Sequence, residues 1–277
     1  MSLLPEVEVT RKELEKDVVG KRIKDVTVRS PHLVPRHRSR PEFARLLEGR
    51  KITAVTRRGV HLMFPLEGEH TLIARLGEYG TLSRETPDAD RERQTLLTLG
   101  FAGGGALHYV DAGKDAEFLV VPDADVATLP ELVNTGIDPL ADVFPWPAFG
   151  TQLVRRAGPL KVLLLDSTFV VGLGERYSDE ILWGAGLSGG RLSSALSSQE
   201  VRRLHRSVQE VLHEAVKQRT ADGVPDGGGE DYEDGEEGGW LHVWGREGLP
   251  CGRCRQPIRH EAVVDGLVSY ACANCQT

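Results

Sequence analysis

Four cysteines close the chain in two pairs. Cys251 and Cys254 enclose two residues, Cys272 and Cys275 enclose two more, and 17 residues separate the pairs. Two such pairs can place four thiolates at the corners of a tetrahedron, the arrangement a structural Zn²⁺ takes. With four protein ligands the metal has no open position and does no chemistry. Two disulfides would need an oxidising compartment, to which nothing in the sequence points. A redox dithiol would sit in a βαβ pattern, not beside a second pair. Between the pairs, residues 258–270 alternate apolar side chains around Asp265-Gly266, a hairpin turn signal. The segment is predicted to be a β-hairpin held by zinc at Cys251, Cys254, Cys272 and Cys275.

The rest of the chain must supply the frame. Its 277 residues can bury a substantial core and suit two domains better than one. A hydrophobic share of 40% with 27% charged residues is that of an ordinary soluble protein. No apolar run reaches bilayer-spanning length. Met1-Ser2-Leu3-Leu4-Pro5-Glu6 lacks the basic and apolar regions of a secretory signal. A cytoplasmic monomer without membrane attachment is expected.

The formal charge of −7 argues at first against a nucleic-acid partner, which needs clustered Lys and Arg. The average conceals a local effect. Residues 221–237 carry eight acids and no Lys or Arg; without those eight, 33 of the 41 acids remain against 34 bases. The body of the protein is near neutral, and one Gly- and acid-rich loop carries the imbalance. Net charge therefore neither requires nor excludes DNA.

Residues 5–19 read as a helix, with Pro5 at its start and Gly20 past its end. Residues 21–122 then break into short β-rich runs, 23–28, 52–56, 61–64, 71–76, 95–101, 106–110 and 118–121, separated by Gly, Pro and charges. Residues 84–92 read as an exposed loop. Beyond residue 124 the pattern turns helical. A Gly-punctuated helix-turn-helix candidate lies in 166–186, and Ser197 with Glu200 forms a capping box before a helix running to about Arg219. The expected fold is α+β and multidomain. It comprises an N-terminal helix with a β-sandwich over 1–124, a helical domain over 125–239 and a zinc-finger hairpin over 240–277.

Several motifs in this order resemble the formamidopyrimidine-DNA glycosylase and endonuclease VIII family, closest to its formamidopyrimidine branch. They are Leu4-Pro5-Glu6-Val7-Glu8, Arg57-Arg58-Gly59, Leu76-Gly77 with Gly80, Lys161 through Gly174 with Tyr177 to Leu182, and Val243-Trp244-Gly245-Arg246 before Cys251. The resemblance runs over essentially the whole chain. It implies a β-sandwich joined to a helix–two-turn–helix domain, with DNA gripped between them. It also implies a chemistry: an N-terminal proline amine attacks C1′ of a damaged nucleotide, a neighbouring Glu manages protons, and eliminations cut the strand. The damaged base leaves the stack, and the protein fills the hole.

Matched position by position, this chain departs from that pattern. The proline is Ser2 and its Glu neighbour is Leu3. Ser2 could still offer a primary amine, but Leu3 transfers no proton. Glu6 matches a retained carboxylate near the sugar, although stabilising the helix N-terminus is its simpler role. A phosphate-binding lysine is Val60, the methionine wedge is Glu78, and the arginine and phenylalanine expected after Asp111 are absent from Asp111-Ala-Gly-Lys114-Asp115-Ala116. The Gly-Asn phosphate clamp is Gly174-Glu175, and the arginine of the zinc hairpin is Leu267. Two cations are deleted and two anions added at the expected DNA surface, which should lower the salt slope of binding by about two units. Arg57, Arg58, Arg75, Lys161 and Arg246 remain as candidate contacts to DNA or another ligand.

The favoured expectation is a divergent relative that binds double-stranded DNA more weakly than the family, with lost or much reduced excision of oxidised purines. An active glycosylase and lyase using the Ser2 amine is one alternative. A glycosidic-bond enzyme acting on a small nucleoside-like ligand is another, and a non-enzymatic module whose acidic loop mimics DNA is a third.

Overall fold

The computed structural model describes residues 3–84, 93–222, 240–264 and 266–277. Ser2, most of the acidic loop, residues 85–92 of the expected exposed loop and Asp265 of the hairpin turn lie outside the described residues. The chain forms two compact units, one of residues 1–134 with 219–229, the other of residues 135–218 with 230–277.

The first unit opens with α1 (Leu4–Val18), whose residues Leu4, Val7, Leu14 and Val18 are buried. Two four-stranded antiparallel sheets follow. One has the order β1 (Ile23–Val28), β6 (Thr95–Phe101), β7 (Ala106–Val110), β5 (Thr81–Ser83). The other runs β2 (Thr56–Arg58), β3 (His61–Leu66), β4 (His70–Arg75), β8 (Glu117–Pro122). Strand β6 alternates buried and half-buried residues along its length, as a strand with one face on a core should. Val7 and Leu14 of α1, Leu99 and Leu107 of one sheet, and Leu62 and Phe118 of the other join a single core.

Sequence and structure differ in several places here, β5 among them, since it lies outside the expected runs. The run 52–56 forms only a single bridge, Ile52 to Leu66, before β2 begins at Thr56. Pro65 lies opposite: its carbonyl accepts from Thr53 N–H, but it has no N–H to return, so the ladder stops. Among the β runs the chain also inserts the helix α2 (Arg40–Leu47), which sequence periodicity did not reveal. Its signal is short but physical: Ser39 Oγ accepts from Glu42 N–H, Pro41 sits in the first turn, and Phe43 and Leu47 are buried. Two one-turn helices, α3 (Asp123–Val126) and α4 (Pro130–Val133), end the run.

The second unit contains α5 (Trp146–Arg155), α6 (Leu160–Leu165), α7 (Gly174–Ala185) and most of α8 (Ser198–Asp222). Helix α7 ends at Gly186 with φ 68°, a left-handed C-cap that glycine adopts without strain. The capping box at α8 forms as its sequence requires. Ser197 Oγ accepts from Glu200 N–H, and Glu200 Oε2 accepts from Ser197 N–H at 2.7 Å. The helix runs three residues beyond Arg219. Strands β9 (Arg259–Val264) and β10 (Leu267–Ala271) pair as the expected hairpin.

Candidate metal centre and nucleic-acid interface

The hairpin brings the two cysteine pairs together. All four Sγ atoms lie within 4.8 Å of one another, and all four cysteines are free of disulfides. Cys251 and Cys275 Sγ are 3.9 Å apart, and Cys254 and Cys272 Sγ 3.4 Å. A tetrahedron with zinc–sulfur arms of about 2.3 Å has edges of about 3.8 Å, so the spacing fits that ion. Cys251 and Cys272 pack with Trp183, Val243 and Ile258 in a small apolar cluster. Arg253 closes its edge, with its guanidinium 3.8 Å from the Trp183 ring centroid and Nη1 donating to the Trp183 carbonyl at 2.7 Å.

Two buried acids on α7 tie this centre to the helices. Asp179 Oδ2 accepts from Tyr270 N–H at 3.1 Å, and Asp179 Oδ1 accepts from the Ser269 hydroxyl, both on β10. Glu180 Oε1 accepts from the backbone N–H groups of His242, Val243 and Trp244 at 2.8–3.0 Å. Burial pushes the Glu180 carboxyl above the usual carboxylate range, and those N–H donors oppose it. Sequence reading passed over this tether. Its only local trace is two acids followed directly by Ile181-Leu182-Trp183, in a helix otherwise committed to a core.

Lys161 belongs to the same cluster and corrects an expectation. Its side chain is 0% exposed, with Nζ 2.7 Å from Asp179 Oδ1 and 2.9 Å from the Glu175 carbonyl. An ammonium so enclosed cannot meet a surface phosphate. Burial draws Lys161 downward and Asp179 upward, each toward its neutral form, and their mutual attraction opposes both. Glu175, by contrast, is exposed in the first turn of α7, where the helix dipole favours an anion and its own carboxylate meets that need.

The remaining candidates are spread across the units. In the first, Arg57 Nε donates to Glu8 Oε2 at 2.6 Å, and its side chain is only 6% exposed. Arg11 reaches the same carboxylate at 3.0 Å. Burial works to raise the Glu8 carboxyl, but Arg11 and Arg57 outweigh it and hold it below the ordinary range. Arg57 thus fixes α1 to β2. Arg58, its neighbour, is exposed, and Arg75 at the end of β4 is partly exposed with Glu117 at 3.9 Å. Glu6 Oε1 pairs with Arg219 Nη2 at 2.9 Å, the arginine lying on the portion of α8 that belongs to the first unit. In the second unit Arg246 is half-buried, and with Arg253 it helps keep the His242 imidazole below its ordinary range, desolvation by its neighbours being the larger cause. Among the candidate cations, Arg58 is exposed and Arg75 and Arg246 are partly exposed.

Comparison with known proteins places this architecture. Residues 1–116 match the formamidopyrimidine-DNA glycosylase N-terminal domain, and residues 135–224 match the formamidopyrimidine-DNA glycosylase H2TH domain. The formamidopyrimidine-DNA glycosylase of Thermus thermophilus is 36% identical over 286 residues, covering 100% of this chain and 98% of the relative. That of Salinispora arenicola is 36% identical over 288 residues, covering 100% and 96%. Among solved structures, the MutM (Fpg) protein of Thermus thermophilus superposes with a TM-score of 0.79 at 36% identity, covering 99% of this chain and 98% of that one. Lactococcus lactis Fpg in complex with abasic-site DNA gives 0.86 at 30% identity, covering 99% of each. Among the described residues no helix is long and apolar enough to cross a membrane. The chain belongs to the formamidopyrimidine-DNA glycosylase family.

Proposed function

We propose that this chain binds double-stranded DNA, with Zn²⁺ held at its four cysteines as a structural ion, and that its excision of oxidised purines is lost or much reduced. DNA as partner is supported by the Lactococcus lactis relative, whose structure contains abasic-site DNA. Zinc is supported by four undisulfided thiols at tetrahedral spacing. Bound there, the ion supplies rigidity alone, and the hairpin and the 242–244 loop depend on it together with Asp179 and Glu180.

One observation carries the loss of chemistry. Leu3 is the N-cap of α1, in extended conformation at φ −92° and ψ 153°, and it makes no side-chain capping bond. The family resemblance puts a proton-transferring carboxylate at this position. A hydrocarbon side chain neither gives nor takes a proton, so attack by a neighbouring amine would go unassisted. Glu6 stands one turn along, and its Oε1 is engaged by Arg219 at 2.9 Å. General acid–base catalysis contributes about 10²- to 10⁴-fold, and a loss of that order is expected.

The test is a titration of labelled duplex, plain and carrying 8-oxoguanine, at several salt concentrations, with strand cleavage followed in the same samples. Salt-sensitive binding without efficient cutting is expected. Rapid cutting at 8-oxoguanine overturns the loss of chemistry, and no binding at low salt overturns the DNA reading.

A further inference from the structure

The end of α7 lies against the cysteine loops. Arg253, between Cys251 and Cys254, donates through Nη1 to the Trp183 carbonyl and through Nη2 to the Gly184 carbonyl at 3.2 Å. A Cβ at Gly186, the cap of this helix, would lie 3.3 Å from the Cys275 carbonyl. The Trp183 ring is fixed as firmly as its backbone. The Arg253 guanidinium sits 3.8 Å from its centroid, and the His242 ring stacks on it with centroids 4.0 Å apart and planes tilted by 22°. His242 belongs to the loop whose N–H groups Glu180 gathers, so α7 holds the stacking partner too.

An indole has one donor and no acceptor. Trp183 is 7% exposed, its Nε1 is buried, and no oxygen or nitrogen among the described residues receives that proton. A buried donor left unpaired is costly, so what surrounds it decides its role. The surroundings are sulfur and hydrocarbon: Cys251, Cys272, Val243 and Ile258 share one cluster with the ring. Burial resists a thiolate at Cys251; of the groups that favour one, the Trp183 N–H comes first, ahead of the backbone N–H groups of Arg253 and Cys254.

We propose that the Trp183 indole N–H is a hydrogen-bond donor to the zinc-bound Cys251 thiolate, so that α7 takes part in holding the metal. The inference rests on the structural-zinc reading above. Four thiolates around one Zn²⁺ carry two surplus negative charges, and an apolar cluster tolerates such charge only where donors or cations meet it. A neutral thiol is a weak acceptor, whereas an ionised one takes a markedly stronger bond. The N–H therefore gains its partner when metal binding removes the proton from Cys251. Trp183 touches no metal and is a positioning residue: it orients and steadies a ligand. Bound metal and the last turn of α7 should then stabilise each other, through a contact separate from the Asp179 and Glu180 tethers.

The test uses the full chain, as wild type and as Trp183→Phe, which keeps an aromatic ring and drops the N–H. Zinc affinity is read by competition with a chromophoric chelator, with helix content followed in the loaded samples. Trp183→Phe should bind zinc about 10- to 100-fold more weakly at unchanged helix content. A second measurement depends on no variant. In wild type loaded with cadmium-113 and labelled with nitrogen-15, the Trp183 indole proton, assigned by its proximity to the His242 ring, should show scalar coupling to the metal. Packing alone produces no such coupling, which has to pass through a hydrogen bond to a ligand sulfur. Equal zinc affinity in the two proteins, or no coupling at Trp183 in the cadmium-loaded wild type, would overturn the proposal. Wild type that takes up neither metal would overturn the zinc reading itself, a distinguishable failure.

Discussion

Lys161 Nζ and Asp179 Oδ1 stand 2.7 Å apart, with side chains 0% and 1% exposed. The carboxylate also accepts from Ser269 and from Tyr270 N–H, so the pair joins α6, α7 and the hairpin in one polar knot. Removing one member of such a pair leaves the other charge buried and uncompensated. Lys161→Met is expected to destabilise the protein by about 3–5 kcal/mol, read by chemical denaturation. The salt slope of DNA binding should not change, because the ammonium meets no phosphate. A stable variant with a reduced slope would show that Lys161 is a surface contact after all.

Metal removal should act through the same region. The protein is expected to hold one Zn²⁺ per chain by elemental analysis, and Cys272→Ser should release it. Loss of a structural ion removes folding free energy directly, so the melting temperature should fall and the hairpin amides should lose hydrogen-exchange protection. A metal-free protein of unchanged stability would refute the assignment.

Acid should loosen the contact between α1 and β2. The Glu8 carboxyl, although burial tends to raise it, is held below its ordinary range by Arg11 and Arg57. Its stabilising contribution is therefore complete above the unfolded-state value and is lost as pH falls through the lower folded-state value. Unfolding free energy should decline on acidification below about pH 4.3, and Glu8→Gln should flatten that decline. A variant whose pH profile matches wild type in this window would remove Glu8 from the account.

Much of this architecture was legible because its signals are local. Ser197 and Glu200 announce α8 within four residues, and the cysteine spacing announces the metal centre. What escaped depends on distance along the chain. Lys161 read as a surface cation because a lysine carries no sign of the aspartate 18 residues on that buries with it. Arg57 meets Glu8 across 49 residues, and Gly77 meets Tyr109 across 32. Neither pairing leaves a period or a turn signal. Helix α2 was hidden for another reason: at eight residues, between strands, it offers too few turns for its apolar face to repeat.

Restoring the deleted cations should recover phosphate contact. Val60 follows β2 and Leu267 opens β10, each half-buried. In the double variant Val60→Lys, Leu267→Arg, the slope of log K against log salt concentration should steepen by about two units. Titration of plain duplex between low and moderate salt reads this directly. An unchanged slope would place both positions away from the DNA.

The claim at the centre is that the scaffold grips DNA without the groups that cut it. Borohydride trapping on abasic duplex tests it most directly, because the reagent fixes any imine between a protein amine and C1′. The native chain is expected to bind the duplex and form no covalent adduct. An adduct formed promptly and in high yield by the unaltered protein would contradict the account.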